Sequence, residues 1–338
     1  MQPKPKIAIV GCGAHAQIAH IPIFKKNKDC ELVALCDPDV RKIDQLGSKY
    51  TIPKKYQDFE AVLEDESIDS LVISTPNYLH APMAISAMKY GKNILCEFPM
   101  ATNLNDAKEM AQCAKKTKRK LCLTMNNRFR PDVQTLNDFI STGELGDIYY
   151  LKTGWLIGSR EWILSPWRMD WLKSGGGAFL CLATTILDIA FLFLKNKTPT
   201  TIFGSMHKKE SETDVEDTAM CIVNFSDETL LTVEVGWSLI FEKDFLYCNV
   251  FGKRGAALLN PLKIQKELHN ELFNVTPSIA PRNIYKTIYE QQCNAFLDYI
   301  QKGKMPPVTI EEGLLIASIT DAFYESAKSH QLVPIPAF

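Results

Sequence analysis

The most constraining stretch of the sequence is Lys6–Ala16, in which a short apolar run leads directly into two closely spaced glycines. Residues 7–10 are apolar and rich in β-branched side chains, which is typical of a buried parallel strand. Gly11, Gly13 and Ala16 then follow at the G-x-G-x-x-G/A spacing. Small residues at these positions permit a tight turn, a close approach of the backbone to a pyrophosphate, and close packing of the following helix. The pattern predicts either a dinucleotide-binding turn or an ordinary loop.

A second apolar run decides between these two interpretations. Residues 31–36 read as another buried strand, and the run ends on Asp37. An acidic side chain at this point is suited to accept a hydrogen bond from a ribose 2′-hydroxyl. A strand, a glycine turn and an acid at the next strand end therefore favour dinucleotide binding.

Length and composition set the remaining bounds. A chain of 338 residues is long enough for two domains, and 46% hydrophobic with 23% charged residues is typical of a soluble globular protein. A net charge of −1 gives no reason to expect a nucleic-acid or membrane partner. The N-terminal residues run straight into the first strand, so no signal peptide is expected.

The ten cysteines are scattered among apolar residues and include no C-x-x-C pair. This distribution predicts reduced thiols and a cytoplasmic protein, with neither a disulfide framework nor a metal site. Residues 178–194 approach the length of a membrane span. Because the segment carries Asp188 in its middle and follows three glycines, a buried core helix is the preferred interpretation.

Strands alternate with helices up to residue 125, which predicts a doubly wound parallel sheet of the α/β class. Ligands of such sheets bind beyond the carboxyl ends of the strands. In this sequence, the predicted strand ends are Gly11–Ala16, Asp37, Thr75–Asn77, Glu97–Pro99 and Asn126–Arg128. The sequence therefore predicts a ligand site made from these segments.

The pattern changes after Arg130-Pro131. A helix is predicted over 131–141, and five strand-like segments follow, several alternating apolar with polar residues as in an antiparallel sheet with one covered face. Two helices, about Asn283–Gln301 and Ile310–Lys328, close the chain. We therefore expect a nucleotide-binding domain over residues 1–125 and a second domain over 126–338.

Four further stretches, together with the glycine turn, resemble the Gfo/Idh/MocA family of NAD(P)-dependent oxidoreductases. They are Ser74–His80, Cys96–Ala101, Trp167-Arg168 before Gly175–Gly177, and Tyr285 with the closing Phe296, Gly303 and Pro306-Pro307 pattern. The resemblance covers essentially the whole chain. It implies a Rossmann domain followed by an α+β domain with an open, mainly antiparallel sheet, which often serves as an oligomer interface. It also implies hydride transfer between a nicotinamide and a sugar or polyol carbon.

The resemblance assigns cofactor-binding roles to individual residues. It places Gly11, Gly13, Ala14, His15 and Ala16 at the pyrophosphate, Asp37 at the adenosine ribose, and Thr75, Pro76, Asn77, His80, Glu97 and Pro99 along the nicotinamide half. Since Asp37 would accept from a free 2′-hydroxyl and repel a 2′-phosphate, NAD(H) is expected rather than NADP(H). From the residues alone, Thr75–His80 also fits a plain strand-to-helix turn.

The expected substrate pocket departs from the family pattern. Its candidates are Phe98, Asn126, Trp167, Arg168, Cys181, Thr185 and Tyr285. The family usually has a lysine at the position of Phe98, an aspartate at that of Cys181 and a histidine at that of Thr185. Phenylalanine cannot titrate and threonine is not a base near neutral pH, while burial in an apolar helix would leave the cysteine inert.

Three functions therefore remain open: an oxidoreductase with a rearranged proton donor, a reductase of the biliverdin-reductase type, and a non-catalytic dinucleotide sensor. The candidate replacement donors are Tyr78, His80, Asp170, Lys173 and Tyr285. The expected partners are a small-molecule substrate or ligand and further copies of the chain, in a homo-oligomer formed through the C-terminal sheet.

Overall fold

The computed structural model describes residues 3–158, 165–209, 213–278 and 284–338. The chain forms two compact units, one of residues 1–126 with 285–314 and the other of residues 127–284 with 315–338. The first unit thus includes a late segment that the sequence analysis placed in the second domain.

The first unit is built on a six-stranded sheet in which every strand pair is parallel, as predicted, in the order β3-β2-β1-β4-β5-β6. Its strands are β1 (Lys6–Val10), β2 (Glu31–Cys36), β3 (Lys54–Tyr56), β4 (Ser70–Ile73), β5 (Asn93–Cys96) and β6 (Leu121–Leu123). The strand order reverses between β1 and β4, and a dinucleotide binds across such a reversal. The carboxyl ends of β1 and β2 lie on one side of this reversal, and those of β4 and β5 lie on the other.

Helices alternate with the strands of this unit, as predicted. They are α1 (Ile21–Lys26), α2 (Val40–Tyr50), α3 (Phe59–Glu64), α4 (His80–Lys89), α5 (Leu104–Thr117) and, later in the chain, α9 (Ile284–Lys302). Asn103 caps α5 by accepting from the Asp106 N–H. Asn283, the predicted first residue of α9, lies outside the described residues.

The segment between the glycine turn and β2 is not one continuous α-helix. Residues Ala16–His20 form a π-turn, in which the Ile21 N–H bonds to the Ala16 carbonyl five residues earlier. The α-helix α1 starts only at Ile21, with Pro22 in its first turn. Because Pro22 has no N–H to continue the α-helical pattern, the segment before it is free to take the wider turn.

Helix α9 joins the first unit because its apolar face completes that unit's core. Cys293, Phe296 and Leu297 are buried in one cluster with Ile7, Ile9 and other residues of the first sheet and its helices. Phe296 is fully buried. Burial of this apolar face stabilises the first unit. This stabilisation explains why a helix so late in the sequence belongs to the first unit.

The second unit contains a nine-stranded sheet in the order β14-β13-β12-β11-β7-β10-β9-β8-β15. Its strands are β7 (Ile148–Leu156), β8 (Pro199–His207), β9 (Thr218–Phe225), β10 (Leu230–Gly236), β11 (Phe245–Gly252), β12 (Gly255–Leu259), β13 (Lys263–Leu268), β14 (Glu271–Asn274) and β15 (Val333–Pro334). All pairs are antiparallel except β10 with β7. Asp227-Glu228 lies in the turn that joins the antiparallel strands β9 and β10.

Helices pack on one face of this sheet, and along β8 and β9 the residues that point to the other face are largely exposed. The helices of the second unit are α6 (Pro131–Ser141), α7 (Trp171–Ser174), α8 (Thr184–Phe193), preceded by a π-turn over Phe179–Ala183, and α10 (Ile310–Ser329), which begins in the first unit. Phe179 stacks on Phe323 in the core beneath the sheet, with ring centroids 3.5 Å apart.

Within the described part of the chain, one helical segment, Trp171–Phe193, is apolar and long enough to cross a membrane, but 83% of its most apolar window is buried inside the protein. Asp188 in this segment is fully buried and its carboxylate accepts from the Arg128 guanidinium at 2.6–2.9 Å. A paired buried charge fits a core helix, the interpretation preferred from the sequence.

Candidate functional site

The glycine turn after β1 has the geometry expected of a dinucleotide site. Gly11 has φ of +87°, and a Cβ atom there would lie 2.4 Å from the Ser74 carbonyl oxygen. Only glycine fits this turn. A Cβ atom on Gly13, in contrast, would have no atom within 4 Å. The backbone at Gly13 therefore faces open space at the carboxyl edge of the sheet, where a pyrophosphate would approach.

Asp37 lies at the end of β2 beside this turn, as predicted. Its Oδ2 accepts from the Cys12 N–H at 2.8 Å, and its Oδ1 accepts from the Asp39 N–H at 3.0 Å. Lys42 also donates to Oδ1 at 3.0 Å. The acid that would meet the ribose is thus held against the glycine turn and is paired with a lysine, a partner that the sequence analysis did not identify.

A second cluster lies at the carboxyl end of β5, around Glu97. One carboxylate oxygen, Oε1, contacts Nε2 of His15 at 3.1 Å and Nε2 of His20 at 2.5 Å. The other oxygen, Oε2, accepts from the Thr124 hydroxyl at 2.6 Å. Burial alone would raise the pKa of Glu97, but the two imidazoles hold it well below its ordinary value. Glu97 is therefore ionised, and because a carboxylate only accepts, both Nε2 atoms carry a proton.

Tyr289 of α9 connects this cluster with two predicted pocket residues. Its ring packs edge-on against His15, with centroids 5.6 Å apart, and against Tyr285, with centroids 4.9 Å apart. Its hydroxyl interacts with the side chains of Tyr285 and Asn126, and burial raises its pKa. The sequence analysis missed Tyr289, although its position four residues after Tyr285 on a predicted helix places both on one face.

His80 is buried and bridges two backbone segments of the same unit. Its Nδ1 lies 2.7 Å from the Pro99 carbonyl oxygen and its Nε2 lies 2.9 Å from that of Thr75. Burial lowers the pKa of this imidazole. His80 thus holds the loops after β4 and β5 together, and both of its nitrogens are engaged by the backbone.

The other residues of these loops line the same edge. Ser74 to Asn77, Glu97 and Phe98 are partly buried, whereas Tyr78 is exposed. The buried Thr75 hydroxyl oxygen has no hydrogen-bond partner among the described residues. A polar atom of this kind, beside an open glycine turn, fits a site completed by a ligand. The residues present therefore fit a bound dinucleotide, with Gly11, Gly13 and Asp37 toward one half and Thr75 and Glu97 toward the other.

The second unit holds the other pocket candidates. The Arg168 guanidinium stacks on the Trp167 ring at 4.7 Å and donates to the Ser165 hydroxyl at 3.5 Å. Cys181 is partly buried, and burial raises its pKa, although the charge of Arg168 partly offsets this effect. The prediction that Cys181 is a poor nucleophile is consistent with this direction. Thr185 is partly buried in α8.

Asp170 and Lys173, two of the candidate proton donors, form a helix cap and an ion pair. Asp170 caps α7 by accepting from the Leu172 N–H at 3.0 Å and pairs with Lys173 at 2.7 Å. Its pKa is lowered by the hydrogen bond from Lys173. The Asp170 carboxylate and the Lys173 ammonium group therefore have structural roles at the start of α7.

The glycine triplet owes its composition to a buried carboxyl group that the sequence analysis did not identify. Glu216 accepts from the N–H groups of Gly177 and Phe179 at 3.0 and 2.9 Å, and from the Tyr324 hydroxyl at 3.0 Å. A Cβ atom on Gly177 would lie 1.9 Å from the Glu216 carbonyl oxygen, and one on Gly176 would lie 2.0 Å from the Tyr324 hydroxyl. Because Gly176 and Gly177 have no Cβ atom, the start of the apolar helical segment can pack directly against Glu216 and Tyr324.

Comparison with known proteins agrees with this geometry. Residues 5–125 match the family described as "Oxidoreductase family, NAD-binding Rossmann fold", and residues 138–335 match "Oxidoreductase family, C-terminal alpha/beta domain". D-glucoside 3-dehydrogenase of Escherichia coli K12 is 25% identical over 342 residues, covering 96% of this chain and 95% of that relative. Myo-inositol 2-dehydrogenase of Thermotoga maritima is 23% identical, covering 98% of each chain.

The fold is also shared with a solved structure of levoglucosan dehydrogenase in complex with NADH and levoglucosan. The two chains are 20% identical, with a TM-score of 0.88 over 99% of this chain and 100% of the other. The matched regions include the open glycine turn and the whole second sheet. This protein therefore belongs to the Gfo/Idh/MocA family of oxidoreductases and has an NAD-binding Rossmann fold.

Proposed function

We propose that this protein is an NAD(H)-dependent oxidoreductase that acts on a sugar- or polyol-like substrate. The observation that carries the proposal is the open glycine turn at Gly13 beside the strand-end acid Asp37. The names of the two relatives, a glucoside dehydrogenase and an inositol dehydrogenase, support the substrate class. When bound, NAD accepts or supplies the hydride.

The chain's own residues would then have to move the hydroxyl proton. The positions that resemble the family's lysine and histidine carry Phe98 and Thr185, which cannot exchange a proton near neutral pH. Among the candidates, His80 has both nitrogens engaged by carbonyl groups, and Asp170 and Lys173 are paired with each other. This leaves the two exposed phenols, Tyr78 and Tyr285.

We propose Tyr285 as the proton donor. It contacts Tyr289, which in turn packs on His15 beside Glu97, at the end of the sheet that would receive the nicotinamide half. In the direction of reduction, hydride adds to the carbonyl carbon and the Tyr285 hydroxyl gives its proton to the carbonyl oxygen. In the direction of oxidation, both steps reverse and the phenolate takes up the alcohol proton.

Cofactor binding is the first test, because it needs no known substrate. Purified protein is titrated with NADH and separately with NADPH, and the fluorescence of the reduced nicotinamide is followed. We expect saturable binding that is tighter for NADH, since the Asp37 carboxylate would repel a 2′-phosphate. Lys42, which donates to Asp37, is the residue through which NADPH would bind if this expectation fails. Binding of neither cofactor would contradict the proposed function.

Turnover is tested next on a panel of sugars, glycosides and inositols. Tyr285→Phe should bind NADH like the unaltered protein but lose about 10²–10⁴-fold in kcat. Tyr78→Phe is the matched control and should keep full activity. NADH binding without turnover on any of these compounds or on conjugated acceptors would instead favour the dinucleotide sensor, which the residues at positions 98 and 185 also permit.

We further propose that two copies of the chain associate through the open face of the second sheet and that the protein is cytoplasmic. Phe203, Met220 and Ile222 are exposed side by side on neighbouring strands β8 and β9, where Phe203 pairs with Ile222. An apolar patch on a sheet face supports an interface between copies. All ten cysteines lie among the described residues and none of them is in a disulfide, which supports a reducing compartment.

A further inference from the structure

We propose that His15, His20 and Glu97 form a binding site for a divalent transition-metal ion of the Zn²⁺ class. His20 and His15 lie 77 and 82 positions before Glu97 in the sequence. The three ligand atoms nevertheless lie within 4.8 Å of one another. Cysteine spacing alone predicts no metal site, and it carries no information on these histidines and the glutamate. The proposal concerns binding by the protein alone and does not depend on the proposed oxidoreductase activity.

The π-turn is the structural device that pairs the two histidines. In an α-helix, side chains five residues apart point about 140° away from each other around the axis. In Ala16–His20, bonding from residue i+5 to residue i widens the turn, so that His15 and His20 come onto the same side. Their ring centroids are 5.3 Å apart. Wider turns of this kind occur often at functional sites.

The third ligand is held in place from behind. Thr124 donates to Oε2 of Glu97, which turns Oε1 toward both imidazoles. Fixing a ligand by a hydrogen bond from a second residue is a regular property of metal sites. The His20 side chain is 3% exposed and that of Glu97 18%, so two ligands are set in the protein.

The distances suit an ion after a small adjustment. Zn–N and Zn–O bonds of about 2.0–2.2 Å place tetrahedral ligand atoms about 3.4 Å apart. The contact between His15 and Glu97 is 3.1 Å, and that between His20 and Glu97 is 2.5 Å. An ion would displace the two Nε2 protons and separate His20 from the carboxylate by about 1 Å.

The ligand set also indicates the type of ion. Two imidazoles and one carboxylate favour Zn²⁺, Co²⁺ or Ni²⁺ over Mg²⁺ or Ca²⁺, which prefer oxygen ligands. The His15 side chain is 41% exposed, so the site opens to solvent on that side. A fourth position is therefore available to water, as in zinc sites with three protein ligands.

Co²⁺ is the probe, because tetrahedral Co²⁺ has intense visible absorption bands and Zn²⁺ has none. The full chain, freed of metal and kept reduced without dinucleotide, is titrated with Co²⁺ and then with Zn²⁺. We expect one Co²⁺ per chain with tetrahedral bands, displaced by Zn²⁺. His15→Gln should weaken Co²⁺ binding at least about tenfold. His207→Gln, which changes an exposed histidine of the second unit, should leave it unchanged.

Three results would overturn the proposal: no Co²⁺ binding by the folded protein, equal affinity in the His15→Gln protein, or a thiolate-to-cobalt charge-transfer band that places the ion on cysteine. Because His15 is partly exposed, its variant should fold, and a circular dichroism spectrum verifies this. NADH titration is a separate measurement, so loss of the metal site is distinguishable from loss of the proposed function.

Discussion

The partly buried Glu97 and the buried Glu216 have carboxyl groups whose pKa values are shifted in opposite directions. Two imidazoles hold the pKa of Glu97 far below its usual range. Glu216 has no cation among its hydrogen-bond donors, so burial raises its pKa, and the hydrogen bonds from Phe179, Gly177 and Tyr324 only partly offset this. The imidazole partners of Glu97 and the neutral donors to Glu216 therefore leave the pKa values of the two carboxyl groups shifted in opposite directions.

Glu216 gives a prediction at the residue scale. Glu216→Ala leaves two buried N–H groups and one buried hydroxyl without their acceptor, so we expect it to lower the free energy of unfolding by at least about 2 kcal/mol. Glu216→Gln keeps the volume and one carbonyl acceptor and should lose less. Urea unfolding measures both, and equal stability of the alanine variant and the parent would refute this role.

The raised pKa of Glu216 also sets the sign of a pH effect. Between its ordinary value of 4.5 and the raised folded value, the folded state holds the proton more tightly than the unfolded state. Stability contributed by this group therefore falls as pH rises through that window. The free energy of unfolding of the Glu216→Gln protein should decline less than that of the parent between pH 5 and pH 8. Parallel pH profiles would contradict this expectation.

Sequence reasoning identified residues whose roles are local and missed those whose roles depend on distant contacts. Gly11, Gly13 and Asp37 lie at consecutive strand ends, so their spacing alone placed them together. Glu216 and Tyr289 acquire their roles only from segments remote in sequence, and His20 meets Glu97 only because a π-turn rotates it. No local pattern carries that information.

At the scale of elements, helix and strand periodicity predicted most of both sheets. The strands missed were β3, β12, β13, β14 and β15. Strand β14 is exposed along its whole length, so it has no apolar alternation to detect. Strand β15 has two residues, too few for any period. Edge strands of this kind are held by backbone pairing with a neighbour, which leaves little mark on composition.

A Cβ atom would fit at Gly13 of the glycine turn but not at Gly177 of the glycine triplet. Alanine substitutions at these two positions should therefore have different effects. Gly13→Ala introduces a methyl group into open space, so stability should stay within about 0.5 kcal/mol of the parent. The same methyl group stands where a pyrophosphate would approach, so NADH affinity should fall at least about tenfold.

Gly177→Ala is the counterpart. Its methyl group would overlap the Glu216 backbone, and we expect a loss of about 2–3 kcal/mol in the free energy of unfolding. Thermal or urea unfolding, combined with the NADH titration, measures both variants. Unchanged NADH binding by Gly13→Ala would remove the main support for a dinucleotide at this turn.

At the scale of the whole molecule, the open sheet face predicts an assembly. A charge placed in an apolar interface must be buried without a partner, so Met220→Glu should convert dimers to monomers. Light scattering after size exclusion gives the mass. Lys49→Gln changes the net charge by the same amount on the first unit and should leave the assembly intact. A parent protein that is already monomeric would refute the interface.

The first unit predicts a second whole-molecule result. A fragment of residues 1–126 contains the entire six-stranded sheet but lacks Cys293, Phe296 and Leu297 of α9. We expect it to unfold without a cooperative transition, because part of its core is missing. Adding a peptide of residues 284–314 should restore a cooperative urea transition. Cooperative unfolding of the fragment alone would show that α9 is dispensable.

The return of α9 has a consequence for how the chain is made. On the ribosome, the last strand of the first sheet is complete about 160 residues before α9 is synthesised. At about 5–20 residues per second, the nascent first unit waits on the order of 10–30 s with an apolar groove uncovered. During that interval the groove is a surface for chaperones or for unwanted association. The late helix thus makes completion of the first unit dependent on translation of about 160 residues beyond its sheet.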